Sequence, residues 1–496
     1  MSEIRPTYSG LISLIVTIIT VVFGVIFTII ITRTLSAEEF GIWNLLMAMV
    51  FYITVAEPII SYWATREVAR GIKSGKTAMV GSGVFSVGGI FIFILIAYLV
   101  GSGANIDLNI LFFGAMIAPL TIINNTLIGI NFGWKPHVPS YAYFVFSITT
   151  IPIGLFLIYY LQMGLYGVII TVTIAYIFSI ILLAIFAREK ITGSIKNEFF
   201  KKWTKLFWLP IYPSIGQMVS NLGVILFPII TGSIAGIAYW FAAVYGSILT
   251  TQSLQIAKVV YPKLIQGDAR EYIQQNLNLL LYFSIFFLGV SITFGKASLF
   301  ILNPIYESVI IVLIILSFYI FFSVLSQAFQ EYLKGIERVD FQISSTFMDY
   351  VKSKLFLVPT IVLVQQIIFI ILLVTGLYLL STNSEVELLI YWAIIILGTQ
   401  FPTTVYFYTK VKKNFNIRLQ LEIILKYAIS SIIISSVTYV LAEKYLVYHE
   451  NLFIFIPNLI PFIILSIVGY LVLTYLIDNN TRHLFCAIIN EIKTKY

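Results

Sequence analysis

Residues 11–31 read LISLIVTIITVVFGVIFTIII, an apolar run long enough to cross a bilayer as a helix. The polar turn TRTLSAEEFG follows at residues 32–41, and a second apolar run occupies residues 42–63. That second run carries an acid beside a proline, Glu57-Pro58, and leads into a basic segment. Two apolar runs joined by a short polar turn predict a helical membrane hairpin with unusual polar content.

The rest of the chain has the same character. Its 496 residues are 59% hydrophobic and only 10% charged, with a mean hydropathy of +0.98. This balance requires lipid as the solvent for most of the surface. Only helices and closed barrels satisfy their backbone polar groups in a bilayer, and apolar runs of about 20 residues favour helices. The first run lacks a signal-peptide cleavage pattern, so we expect it to be a span.

The sequence therefore predicts an all-α integral membrane protein with about 14 transmembrane helices. The predicted spans are residues 10–32, 42–63, 78–100, 109–130, 141–161, 165–187, 206–230, 237–260, 277–294, 308–329, 355–380, 388–409, 423–442 and 452–477.

The charge distribution orients these spans. Only Arg33, Lys296 and Lys444 of the 30 Lys and Arg residues fall on the outer side of this arrangement, which leaves 27 on the inner side. Cytoplasmic loops of membrane proteins carry such an excess of positive charge, so we expect both termini to be cytoplasmic. The net charge of +8 then reflects membrane topology, and we expect no nucleic-acid partner.

A weak internal repeat suggests how the spans are grouped. The first hairpin contains EEFGIW at residues 38–43, and the loop between spans seven and eight contains TGSIAGIAYW at residues 231–240, again with a Gly-Ile pair and aromatics. Transporters are often built from such repeats. The predicted organisation is an N-terminal six-helix lobe, a basic cytoplasmic linker, a second six-helix lobe, and two additional helices with a cytoplasmic tail, at residues 1–187, 188–205, 206–410 and 411–496.

Glu57 is the acidic residue that this arrangement places well inside a span. An ionised carboxylate in hydrocarbon is unfavourable by several kcal/mol, so such residues face cavities and have partners. One interpretation is a site that couples transport to H⁺ or Na⁺. The alternatives are a structural ion pair with Arg66 or Arg70, or a helix end that lies a few residues away.

Three arginines are candidates for substrate binding. Arg66 and Arg70 are four residues apart and share a helix face, and two planar guanidinium groups suit a phosphate or diphosphate. Positive-inside anchoring explains the pair equally well. Arg33, at the outer end of span one, either reaches the lipid headgroups or closes a cavity against Glu38 or Glu39.

Polar stripes mark two neighbouring spans. Gln217 and Asn221 share one face of span seven, and Gln252, Gln255 and Lys258 share one face of span eight. Lipid-facing polar residues are disfavoured, so we expect these five residues to line a hydrated, substrate-binding cavity. Interhelical hydrogen bonding is the alternative.

Signals for enzymatic chemistry are weak. Cys486 is the single cysteine, and the three histidines, His137, His449 and His483, are dispersed, so we expect neither catalytic nor metal residues. The sequence contains no P-loop. A membrane glycosyltransferase or glycan polymerase would show paired acids and a large outer loop. We therefore expect no enzyme and no cofactor beyond a coupled H⁺ or Na⁺.

The motifs of the first unit resemble the N-terminal signature of polysaccharide flippases of the Wzx/RfbX type, in the multidrug/oligosaccharidyl-lipid/polysaccharide (MOP) exporter superfamily. The matching segments are TRTLSAEEFGIW at residues 32–43 and TREVAR at residues 65–70, and the fourteen-span layout, Gly236, VYP at residues 260–262 and LKG at residues 333–335 extend the resemblance. One departure is that Glu57-Pro58-Ile59 stands where the family has an aspartate–leucine–glycine step, so the helix bend there can differ.

The resemblance implies two six-helix lobes around a central cavity, with the last two helices outside it. It implies transfer of a polyprenyl-diphosphate-linked oligosaccharide from the cytoplasmic to the outer leaflet by alternating access, in a monomer of the cell membrane. The family's cationic cavity residues correspond to Arg33, Arg66 and Lys258. Expected partners are the lipid-linked oligosaccharide, membrane lipids, and glycosyltransferases or a glycan polymerase. A multidrug or small-molecule exporter of the same superfamily is the alternative function.

Overall fold

The computed structural model describes residues 20, 22–254, 270–335, 337, 347–478 and 481–482. Within these ranges every regular secondary-structure element is a helix, which confirms the predicted all-α class. Apolar side chains remain exposed along the long helices, as in Phe91 and Phe453, which are 70% and 92% exposed. Lipid is the natural solvent for such surfaces, and the chain is a multi-pass membrane protein.

Eleven helices precede the gap at residues 255–269. They are α1 (Val22–Thr34), α2 (Ala37–Thr54), α3 (Pro58–Ala69), α4 (Gly75–Ala104), α5 (Leu108–Gly114), α6 (Ile117–Trp134), α7 (Val138–Gly154), α8 (Gly164–Ile191), α9 (Asn197–Lys205), α10 (Trp208–Thr231) and α11 (Ala235–Ser247). A π-helical segment, Leu155–Tyr160, extends α7, and a 3₁₀-helical segment, Ile248–Ser253, follows α11.

Eight further helices follow the gap. They are α12 (Arg270–Thr293), α13 (Gly295–Leu302), α14 (Ile310–Gly335), α15 (Phe347–Lys352), α16 (Lys354–Leu379), α17 (Glu385–Phe415), α18 (Leu421–Tyr445) and α19 (Leu452–Ile477). A 3₁₀-helical segment, Pro304–Val309, leads into α14.

The described residues contain 11 helices long and apolar enough to cross a membrane, or 12 if the bent pair α2–α3 is one span. The predicted first and eighth spans, residues 10–32 and 237–260, extend into segments outside the described ranges. The number fourteen therefore stays a prediction. The last predicted span, residues 452–477, has the same bounds as α19.

The second predicted span differs most from its expected form. Residues 42–63 are not one helix, because α2 and α3 meet at a bend of 57°. Pro58 occupies the first turn of α3, where its missing N–H removes no helical hydrogen bond. The Glu57 N–H instead donates to the Thr54 carbonyl at 3.0 Å. Proline explains why the helix breaks at this point.

The chain divides into two compact units. The first comprises residues 1–241 and 370–385, and the second comprises residues 242–369 and 386–496. In the first unit, α3, α4, α6, α7, α8 and α9 share a buried apolar cluster. Its members are Ile59, Ile60, Ala64, Val68, Ala78, Leu127, Ile130, Val138, Ala142, Leu183, Ala187 and Trp203.

The second unit has its own apolar cores. One large cluster joins α12, α14, α16 and α17, and includes Leu277, Phe329 and Phe407. A tyrosine cluster joins α12 to the last two helices, where the Tyr470 hydroxyl donates to the Tyr282 carbonyl at 3.0 Å. The two C-terminal helices are thus packed on α12.

Close packing of α3 against α6 depends on glycine. A Cβ added at Gly129 would lie 2.9 Å from the Ser61 Cβ, and one at Gly133 would overlap the Thr65 carbonyl oxygen. Small residues allow such close approach of helices in membranes. The Thr65 hydroxyl spans the same contact, within 2.8 Å of the Gly129 carbonyl oxygen.

We expect Gly133→Ala to lower the free energy of unfolding by about 1–3 kcal/mol, because the new methyl group must displace the backbone of α3. Thermal unfolding in detergent measures this. The matched control is Gly83→Ala on α4, where an added Cβ meets nothing within 4 Å. Equal unfolding temperatures for the two variants would show that the α3–α6 contact is not tight.

Candidate functional site

Glu57 lies at the break between α2 and α3 and is only 3% exposed. Its carboxylate accepts two hydrogen bonds, one from the Ser61 hydroxyl and one from the Thr126 hydroxyl of α6, both at 3.0 Å. The ion pairs found among the described residues do not include Glu57. The structure thus gives Glu57 two neutral donors and does not pair it with Arg66 or Arg70.

This arrangement has a chemical consequence. A buried carboxylate held only by hydroxyl groups keeps most of its desolvation penalty, and binding a proton or a small cation removes that penalty. Carboxylate and hydroxyl oxygens are also the ligand type that hard cations prefer. The three side chains of Glu57, Ser61 and Thr126, here named the Glu57 cluster, are therefore suited to H⁺ or Na⁺.

Neighbouring buried polar contacts fix the helices around the Glu57 cluster. On α6, Asn124 accepts a hydrogen bond from the Ser179 hydroxyl of α8 at 2.7 Å. Two turns further along α6, the Asn131 amide donates to the Leu183 carbonyl of α8 at 2.9 Å. Hydrogen bonds between buried polar groups of different helices favour one packing arrangement. The position of Thr126 beside Glu57 is therefore determined by α8 as well as by α3.

Glu67 is a second buried acid, which the sequence analysis did not single out. It is 2% exposed, and its Oε1 lies 3.3 Å from the Trp203 Nε1 and 3.5 Å from the Lys202 Nζ of α9. Its position on the apolar face of α3, with Ile60, Trp63 and Ala64, is the signal that could have identified it. Glu67 connects the basic linker to α3.

Trp203, on the helix of the basic linker, packs inside the first unit. Trp203 is 0% exposed and belongs to the apolar cluster of the first unit. Phe199 stacks on it with ring centroids 6.2 Å apart. The aromatic face of α9 is thus covered by protein, and its lysines Lys201, Lys202 and Lys205 are exposed.

The candidate arginines lie at helix ends. Arg66 is exposed near the end of α3, and its Cζ lies 4.5 Å from the ring centre of Tyr62. Arg70 follows α3 and is exposed, while Arg33 is half-buried near the end of α1. Arg66 and Arg70 are therefore available at the predicted inner surface, ten or so residues from Glu57 along the chain.

The polar stripes are only partly described. The Gln217 amide donates to the Asn221 side chain at 3.2 Å, and Gln217 is exposed while Asn221 is half-buried. Gln252 is exposed within the 3₁₀-helical segment after α11. Gln255 and Lys258 lie outside the described residues. The α10 pair thus shares one face, as the spacing predicted.

No family model matches the chain, and no curated protein matches it. Solved structures do match. An inward closed lipid II flippase MurJ has a TM-score of 0.69 at 14% identity, over 96% of this chain and 100% of that chain. An inward-facing multidrug resistance MATE transporter of the MOP superfamily has a TM-score of 0.58 at 12% identity, over 80% and 94%. A MOP transporter from Pyrococcus furiosus has a TM-score of 0.54 at 11% identity, over 82% and 94%. The chain has the fold of MOP-superfamily transporters.

We expect Thr126→Val to lower the free energy of unfolding by about 1–3 kcal/mol, because the Glu57 carboxylate loses one of its two donors. Thermal unfolding of the purified protein measures the change. Thr149→Val is the matched control, since the Thr149 hydroxyl bonds the Val145 carbonyl of its own helix at 2.6 Å.

The same substitution in a Glu57→Gln background provides a further check. If Thr126 acts through the carboxylate, the two changes are non-additive, because neighbours that share a hydrogen bond are coupled. Full additivity would contradict the role of Thr126 as a donor to Glu57.

Proposed function

We propose that the chain is a flippase that moves a polyprenyl-diphosphate-linked oligosaccharide from the cytoplasmic to the outer leaflet by alternating access. The observation that carries this proposal is the extent of the fold similarity. The lipid II flippase matches over 96% of the chain, whereas the MATE and other MOP structures match over 80–83%. The additional part of the chain that the lipid II flippase covers is about as long as the proposed two-helix extension at residues 411–496.

The charge distribution supports this substrate class. A diphosphate with sugars cannot cross hydrocarbon, so its path needs cations, amides and hydroxyl groups. Arg66 and Arg70 provide exposed guanidinium groups at the proposed cytoplasmic side, and Lys73 and Lys76 are exposed just beyond them. Guanidinium groups bind phosphate oxygens with two parallel hydrogen bonds. These residues are suited to capture an anionic headgroup before transfer.

Arg33, Gln217, Asn221, Gln252, Gln255 and Lys258 complete the proposed substrate path. The proposed lobes are residues 1–187 and 206–410, joined by the basic linker at residues 188–205, with both termini cytoplasmic. The proposed partners are the lipid-linked oligosaccharide, membrane lipids, and the glycosyltransferases or glycan polymerase that use it, for cell-surface polysaccharide or glycoprotein glycan assembly.

The Glu57 cluster supplies direction in this proposal. Binding of H⁺ or Na⁺ removes the charge penalty of a buried carboxylate, so the bound and free forms favour different conformations of the broken α2–α3 span. A gradient of the coupling ion then biases the transfer.

A multidrug or small-molecule exporter is the second candidate function. The observation that favours it is the similarity to MATE transporters, with TM-scores of 0.51–0.58. The buried Glu57 carboxylate, which faces hydroxyl donors, also suits an exporter coupled to a cation. The two functions differ in the charge of the substrate.

We expect reconstituted wild-type protein to transfer a fluorescent polyprenyl-diphosphate glycan between leaflets. Glu57→Gln, Arg66→Ala and Lys258→Ala should each slow the transfer by about tenfold or more, since hydrogen bonds to charged groups contribute about 1.5–3 kcal/mol. Glu57→Gln should also abolish the response to an imposed H⁺ or Na⁺ gradient. The control is Glu189→Gln, which changes an exposed acid near the end of α8.

Two results would overturn the proposal in different ways. Unchanged transfer in all three variants would show that the site is assigned to the wrong residues. Movement of cationic dyes without any transfer of the lipid-linked glycan would establish the exporter.

A further inference from the structure

The two outer hairpins of the first unit share one hydrogen-bonding pattern. Ser36 precedes α2, and its hydroxyl accepts the Glu39 N–H at 3.2 Å. Ser233 precedes α11, and its hydroxyl accepts the Gly236 N–H at 3.1 Å. In both hairpins a serine side chain thus accepts the N–H three residues later, as in helix N-caps.

This pattern sets the register between the hairpins. Ser36 and Ser233 are 197 positions apart, and the same offset pairs the buried Trp43 with the buried Trp240. The Gly-Ile pairs of the two hairpins, at residues 41–42 and 236–237, are 195 positions apart, so they do not correspond in this register. At the offset of 197, the end of α2 at Thr54 corresponds to the 3₁₀-helical segment Ile248–Ser253. Both second helices are therefore interrupted at matching positions.

Each hairpin is also joined to another helix by one carboxylate. In the first, the Glu39 Oε1 accepts the Leu165 N–H at the start of α8, at 3.2 Å, while its Oε2 accepts the Ser36 N–H at 3.0 Å. In the second, the Ser233 hydroxyl donates to Glu385 at the start of α17. In the proposed organisation, α8 and α17 are each the last helix of a six-helix lobe.

In each contact a glycine faces the acid, but the helix that carries the acid differs between the two contacts. In the first, the acid is on the hairpin, and Gly164, with a φ of +55°, faces it at the start of α8; an added Cβ would overlap the Glu39 Oε1. In the second, the acid is on α17, and Gly236 faces it on the hairpin, where an added Cβ would lie 2.9 Å from the Glu385 Oε1. In both contacts a carboxylate oxygen lies against the opposite glycine, and at Gly236 the Phe227 ring lies against the same side.

We propose that Glu39 and Glu385 are equivalent positioning residues, and that each joins the outer hairpin of its lobe to the start of that lobe's sixth helix. We name the two contacts the carboxylate bridges. Each bridge makes the outer end of a lobe move as one piece. This role rests on the proposed function, because it concerns the step in which the lobes change access from one leaflet to the other.

Hydrogen exchange on the purified protein tests the bridges without any substrate. Glu39→Ala should speed exchange of the Leu165 amide by roughly tenfold, because its acceptor is lost. Glu385→Ala should speed exchange of the Gly236 amide by a similar factor. The Ser233 hydroxyl that accepts this amide would no longer be held by Glu385. Each variant should leave the other hairpin within twofold of wild type. Glu38→Ala and Glu387→Ala are the matched controls, since both remove exposed neighbouring acids.

Leaflet transfer then tests the positioning role. Both alanine variants should lower the maximal transfer rate per folded molecule by roughly tenfold while the half-saturating lipid concentration stays within twofold, because headgroup capture occurs on the other side. Glu39→Gln and Glu385→Gln should recover part of the rate, since an amide oxygen still accepts. Gly469→Ala serves as the control for general destabilisation, since its added Cβ would lie 2.9 Å from the Ile434 Cδ1 between the last two helices, away from the proposed substrate path.

Three results would overturn the proposal. The first is exchange of the Leu165 and Gly236 amides equal to that in the Glu38→Ala and Glu387→Ala controls. The second is a loss of transfer rate no greater than in Gly469→Ala. The third is a changed half-saturating lipid concentration with an unchanged maximal transfer rate. If the wild type transfers no lipid-linked glycan, the proposed function fails, and the exchange experiment still decides whether the bridges exist.

Discussion

The constraint on which this structure depends is that hydrocarbon offers no hydrogen bonds. Every interruption of a helix inside the bilayer must therefore be compensated by protein groups. At the break before Pro58, the local backbone bond from Glu57 to Thr54 and the hydroxyl groups around the Glu57 carboxylate supply that compensation. The break can persist only because α6 lies close enough for Thr126 to reach it. Gly129 and Gly133 make that approach possible.

Buried acids follow two different patterns in the first unit. Glu57 is held by neutral hydroxyl groups, so its charge is poorly compensated, and it is suited to bind a proton or cation. Glu67 is held by an indole N–H and faces a lysine, so its charge is partly compensated. The first pattern favours a residue that changes state, because the charged form is unfavourable. The second favours a fixed connection between α3 and α9.

Glu39 and Glu385, the acids of the proposed carboxylate bridges, belong to neither pattern. They are not deeply buried, and each accepts a hydrogen bond at a helix start, where negative charge is favourable. Such polar contacts hold helix starts together in a bilayer, where lipid tails leave little hydrophobic attraction between helices. The chain shares its fold with lipid II flippase and MATE structures.

The sequence by itself determined the solvent, the helical class and most helix positions, because twenty-residue apolar runs have only one stable backbone form in lipid. The sequence placed a proline beside Glu57 in the second span, but it did not predict that the span divides into two helices there. Only the tertiary structure decided which polar residues meet. Glu67 and Trp203 are 136 positions apart, and Glu39 and Leu165 are 126 apart. Such pairs depend on how helices pack, and hydrophobic periodicity within one helix carries no information about its neighbour. The register proposed for the two hairpins rests on the local serine caps and on two buried tryptophans at the same offset, and this geometry is visible only in the folded chain.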